Sequence, residues 1–107
     1  MLSRFRPVTK SKGKYPAWVR ALDNKSGVYI IRNSVFGSTM YVGESHSGKL
    51  YGTLTRHFQE WKGQGSGGTY PLFNSVVAVE VLSPSRALSR QRELIRRLRP
   101  LDNERLT

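Results

Sequence analysis

The sequence predicts an α/β (α+β) domain built on a small three-stranded antiparallel or mixed sheet flanked by helices. Three observations carry this prediction. Residues 28–32, 39–42 and 76–82 are short runs rich in β-branched and aromatic residues, the composition of strands. Residues 50–62 and the stretch between Ser83 and Pro100 repeat apolar residues at three- and four-residue steps, the period of a helix. The resulting order of helix, strand, strand, helix, strand, helix fits one layered domain, and 107 residues suffice for a core without disulfides.

Taken in order, residues 1–14 are polar and basic without periodicity and read as a mobile arm. The predicted division is thus a basic flexible arm over 1–15 and one folded domain over 16–107. Tyr15 to Leu22 is a short helix with Pro16 near its start. Asp23 to Gly27 is turn chemistry, and Val28-Tyr29-Ile30-Ile31-Arg32 is the first strand. Asn33 to Ser38, with Gly37, connects as a hairpin to Thr39-Met40-Tyr41-Val42, and Gly43 to Lys49 is a loop. Leu50, Leu54, His57 or Phe58, and Trp61 define an amphipathic helix over 50–62. The run Gly63-Gln64-Gly65-Ser66-Gly67-Gly68 is a loop, and 76–82 is a buried third strand. Ser83-Pro84 supplies an N-cap and a proline at the first helical position. Ala87, Leu88, Gln91, Leu94, Ile95 and Leu98 line one face of this helix, which Pro100 ends.

Composition bounds the function. The chain has no cysteine, which removes disulfides, thiolate metal sites and thiol nucleophiles. No apolar run approaches the roughly 18 residues of a transmembrane helix, and the basic N-terminus lacks the apolar stretch of a signal peptide. A soluble, cytoplasmic protein without a membrane partner is expected. Against 7 Asp and Glu stand 18 Lys and Arg, a formal net charge of +11. Such self-repulsion is costly without a counter-charge and points to a polyanionic partner, nucleic acid ahead of an acidic membrane. The cations cluster: Arg4, Arg6, Lys10, Lys12, Lys14 and Arg20 near the start, and Arg86, Arg90, Arg92, Arg96, Arg97 and Arg99 near the end. Arg4, Arg6, Lys10, Lys12, Lys14, Lys49, Arg90 and Arg97 are the predicted phosphate contacts.

Two motifs compete for the chemistry. Gly43-Glu44-Ser45-His46-Ser47-Gly48-Lys49 follows a strand and opens a helix, as a phosphate-binding loop does. Its next residue is Leu50, where a nucleotide hydrolase needs a hydroxyl for magnesium, so that reading fails. The second constellation is Gly27-Val28-Tyr29 on the first strand and Tyr41-Val42-Gly43 on the next, with Arg56, Glu93 and Asn103 further on. Alone, the tyrosines make an ordinary cross-strand pair. Glu93 four residues before Arg97 is an ordinary helix pair, Arg56 a solvated arginine, and Asn103 a turn residue.

Together, and in this order, these residues resemble the GIY-YIG nuclease domain over about residues 26–103, with Arg99-Pro100-Leu101-Asp102-Asn103 similar to that family's closing segment. The resemblance implies a GIY-YIG-like fold and a metal-dependent endonuclease that hydrolyses phosphodiesters of double-stranded or branched DNA, with a dimer as one means of cutting both strands. It implies catalytic roles for Tyr29, Tyr41, Arg56, Glu93 and Asn103. Phosphodiester hydrolysis needs a positioned water, a proton acceptor and cationic relief of charge. Glu93 would hold one Mg²⁺ or Mn²⁺, Arg56 would grip the phosphate, and the tyrosines would orient or deprotonate the water if neighbouring cations favour the phenolate. Where the family carries a His or Tyr one helical turn after the arginine, this chain has Glu60; His57 adjoins Arg56 instead, about 100° around the helix, and is a further catalytic candidate. Lys49 or His46 could replace a family lysine, or belong to a solvated loop. The competing class is a non-catalytic basic nucleic-acid-binding module on the same fold.

Overall fold

The computed structural model describes residues 1–58 and 70–103. Its strands are β1 (Arg6–Pro7), β2 (Gly27–Asn33), β3 (Thr39–Ser45) and β4 (Ser75–Val81), and its helices α1 (Ala17–Arg20), α2 (Leu50–Thr55) and α3 (Pro84–Leu98). Single 3₁₀ turns follow α2 at Arg56–Phe58 and precede β4 at Leu72–Asn74. The expected end of the second helix, 59–62, and the glycine-rich loop, 63–68, lie outside the described residues.

The sheet has the order β1-β4-β2-β3 and is antiparallel throughout. Period-two alternation in β2 sends Tyr29 and Ile31 to one face and Val28 and Ile30 to the other. The first face packs with Tyr41, Val77 and Val79 under α1 and α2, through Val19, Leu22, Leu50 and Leu54. The second packs with Val42 under α3, through Leu94, Ile95 and Leu98. Both faces are covered, which is why β2 and β4 are nearly continuous apolar runs. Among the described residues, no helix is long and apolar enough to cross a membrane.

The sheet has four strands where three were expected, and the fourth comes from the predicted flexible arm. Arg6 pairs with Val77 and Pro7 with Val76, while the Ser3 N–H donates to the Val79 carbonyl at 2.9 Å. Val8 is fully buried, and Leu2 and Phe5 pack beside α3. The segment lacks alternation because it is a two-residue edge strand, and Pro7, with no N–H to give, is compatible only with an edge.

The opposite edge is covered by the end of the chain described. After α3, Arg99 adopts a left-handed conformation (φ 48°) and donates its N–H to Ile95. Pro100 turns the chain across β3, where the Leu101 and Asp102 N–H groups donate to Thr39 and Met40 at 3.1 and 2.9 Å. α3 starts at Pro84 as its sequence predicts, although the Ser83 hydroxyl caps no backbone N–H.

Candidate nucleic-acid site

Tyr29 and Tyr41 share a sheet face but do not stand opposite one another. Tyr29 pairs with Gly43, and Tyr41 with Ile31. They are diagonal neighbours, ring centroids 6.3 Å apart, and both are buried. The glycines of the two short motifs have separate physical reasons. A Cβ on Gly43 would lie 2.2 Å from the Tyr29 ring, so this glycine lets the ring lie across β3. Gly27 has φ 152° and would set a Cβ 2.1 Å from the Glu80 carbonyl oxygen, an approach only glycine permits.

The 3₁₀ turn after α2 brings His57 into this face, with its ring 5.7 Å from Tyr29 and 4.7 Å from Tyr41. The Tyr29 hydroxyl lies 2.9 Å from His57 Nε2. Tyr70, which sequence reasoning missed, closes the cluster at 5.8 Å from the His57 ring. Its N–H donates to the His57 carbonyl, and its hydroxyl donates to Asp102 at 2.8 Å. Tyr70 follows a glycine-rich run in a region without periodicity, so no local pattern marks it.

Burial, and next the Arg56 guanidinium, lowers the His57 pKa to about 4, which keeps the ring neutral at pH 7. Burial raises the Tyr29 pKa far above the phenol range, helped by Tyr41 and Glu44 and opposed by Arg56. Tyr41 is raised too, by burial and then Glu44. The condition for a phenolate is therefore not met: one exposed arginine does not offset burial together with Tyr41, Glu44 and Tyr70. Tyr29 is a proton donor here, and neutral His57 its acceptor when the ring proton sits on Nδ1.

Arg56 is exposed at the rim of the cluster. Asn103 is buried in a different role. Its side-chain carbonyl accepts the Val42 N–H and its amide donates to the Val42 carbonyl, both at 2.8 Å. It clamps β3 between Tyr41 and Gly43.

Glu93 does not join them. It is exposed and ion-paired with Arg90, which also pairs with Glu80 at 2.8 Å. Residues two apart on a helix diverge by about 160°, and the α3 polar group that reaches β3 is the Gln91 amide, 3.3 Å from the Val42 carbonyl. Nor do three His, Cys, Asp or Glu side chains converge anywhere among the described residues. Glu93, the residue expected to hold Mg²⁺ or Mn²⁺, is thus a single carboxylate paired with Arg90 on the helix that covers the other sheet face. Arg90, an expected phosphate contact, is likewise engaged by the carboxylates of Glu80 and Glu93. Glu44, the acid felt by both tyrosines, pairs with His46 at 3.1 Å in the loop toward α2.

Of the other expected contacts, Arg4, Lys10, Lys12, Lys14, Lys49 and Arg97 are exposed. Arg6 is half-buried with its guanidinium 4.1 Å from the Trp18 ring. Comparisons with protein-family models, with curated proteins and with solved structures each find no match, and the family resemblance rests on the residues described above.

Proposed function

We propose that this chain is a nuclease of GIY-YIG type that cleaves DNA phosphodiesters at the Tyr29–His57–Arg56 cluster. The observation that carries the reading is the 2.9 Å contact between the Tyr29 hydroxyl and His57 Nε2, with an exposed arginine next to that histidine. Arg56 would dock a non-bridging phosphate oxygen. The arriving negative charge would offset Arg56 and ease protonation of His57. Water attacking phosphorus would pass its proton to the Tyr29 oxygen as the Tyr29 proton moves to His57 Nε2, so the tyrosine ends neutral and the histidine charged. The bond from phosphorus to the leaving sugar oxygen would break, and that oxygen would take its proton from solvent. No step of this reaction runs through a cation at Glu93. The charge of +11 supplies affinity for the backbone.

One observation favours a second reading. α3 turns an amide, not a carboxylate, toward β3, and a non-catalytic DNA-binding module needs no metal carboxylate. Incubation of the protein with supercoiled plasmid, with Mg²⁺ or Mn²⁺ and with chelator, separates the two. Nicked or linear product supports the nuclease. Salt-dependent retardation of intact plasmid under every condition supports the module.

A further inference from the structure

The end of the sheet formed by the β2–β3 turn and the start of β4 carries two exposed aromatic rings. Phe36, at the tip of the β2–β3 turn, is 82% exposed, and Phe73, in the 3₁₀ turn before β4, is 77% exposed. Val35 lies beside Phe36 and is exposed as well. Both turns are held firmly. The Asn33 side-chain oxygen accepts the Val35 and Phe36 N–H groups at 2.8 and 3.0 Å, and the Gly37 N–H donates to the Asn33 carbonyl at 2.8 Å. The Ser75 hydroxyl donates to the Pro71 carbonyl at 2.8 Å and fixes the second turn. The Ser34 N–H donates to the Asn74 carbonyl at 2.8 Å, so the two turns brace one another and present their rings from one end of the sheet.

We infer that Phe36 and Phe73 form a stacking platform for unpaired bases of nucleic acid. Exposed rings gain from burial against any apolar surface; charge decides which. The chain is strongly cationic, and arginines stand in the neighbouring register rows, Arg32 opposite Val76 and Arg6 opposite Val77. Arg6 and Arg32 themselves stack on Trp18 and Phe5, so the local feature is the pair of exposed rings on a chain of net charge +11. Exposed rings on a cationic surface are what a single strand meets on proteins that stack its bases and neutralise its backbone. A lipid surface would ask for a broad apolar face with a basic rim, whereas these are two narrow, rigid tips. The inference rests on the nucleic-acid partner proposed above but not on cleavage. It specifies the substrate as DNA with unstacked bases: a bulge, gap or branch. From the Tyr29 row to Asn33 is four residues, about 13 Å along β2.

The test is anisotropy of the full chain on a labelled duplex and on the same duplex with a central three-nucleotide bulge, at fixed salt. A 2-aminopurine in the bulge reports stacking. The wild type should bind the bulged DNA about tenfold tighter or more and quench the 2-aminopurine, within the usual range for base–aromatic stacking. The doubly substituted Phe36→Ala/Phe73→Ala chain should lose the preference and the quenching, with its melting curve and duplex affinity unchanged. Equal affinity of the wild type for both DNAs, or an undiminished preference in the variant, overturns the platform. So does substitution-sensitive flotation with anionic vesicles or substitution-sensitive dimerisation in the absence of a bulge preference. Failure to bind any DNA overturns the functional reading as well, whereas binding without cleavage leaves the platform standing.

Discussion

Gly43→Ala tests the geometry that makes Tyr29 available to His57. The added Cβ would fall 2.2 Å from Cζ and the hydroxyl oxygen of Tyr29 and 2.7 Å from Cε1. The ring cannot retreat, because it is 1% exposed and packed against Tyr41 and His57. Overpacking of this kind costs about 1–3 kcal/mol. Displacing the hydroxyl from His57 adds about 1 kcal/mol for a lost hydrogen bond. Reduced freedom of the unfolded chain returns about 0.4–1 kcal/mol. The net loss is about 1–3 kcal/mol, or a melting temperature lower by about 4–12 °C for a domain this small. Gly52→Ala is the matched control, since a Cβ there meets nothing within 4 Å and α2 gains a better helix former. Thermal melts of the two variants beside the wild type make the measurement. A Gly43→Ala protein as stable as the Gly52→Ala protein would mean that Tyr29 does not lie across β3 as described.

Deleting residues 1–8 should destabilise the fold by about 3 kcal/mol or more, since Val8 is lost from the core and the β4 edge is uncovered. Unchanged urea unfolding would return the segment to a mobile arm. The pH dependence carries two signatures of His57. Its folded pKa of about 4 lies below the ordinary histidine value, so the unfolded chain takes the proton more readily. The stability contributed by the neutral ring is thus full above about pH 6.5 and fades as pH falls toward about 4. Cleavage should be nearly flat from about pH 6 to 9; a tenfold rise per pH unit toward the phenol range would restore the phenolate as base.

What the sequence disclosed and what it hid have physical causes. β2, β3, β4 and α3 were legible because each buries a full face with its own period, and Pro84 and Pro100 punctuate the last helix. β1 was not, because two residues on an edge, one of them proline, carry no periodic signal. The tyrosine pair was legible from spacing and His57 was a candidate beside Arg56, but which of positions 56 and 57 turns inward was not, because it depends on the helix tightening into a 3₁₀ turn there. Glu93 had the right residue type on the right helix. The face of a helix that meets the sheet is set by its packing, and Leu94 and Ala87 turn Gln91 toward β3. Asn103 was expected to act on substrate because it follows a recognisable segment; the unpaired N–H and C=O of an edge strand account for it without substrate.

The central claim is that the Tyr29 hydroxyl and His57 form a reacting pair and not merely a packed one. Tyr29→Phe keeps the ring over Gly43 and removes one donor and acceptor. The decisive measurement is single-turnover plasmid cleavage by this variant beside the wild type, with melting curves for both. The account predicts cleavage lower by about a hundredfold or more with stability changed by about 1 kcal/mol. Wild-type cleavage by Tyr29→Phe, at unaltered stability, would contradict it.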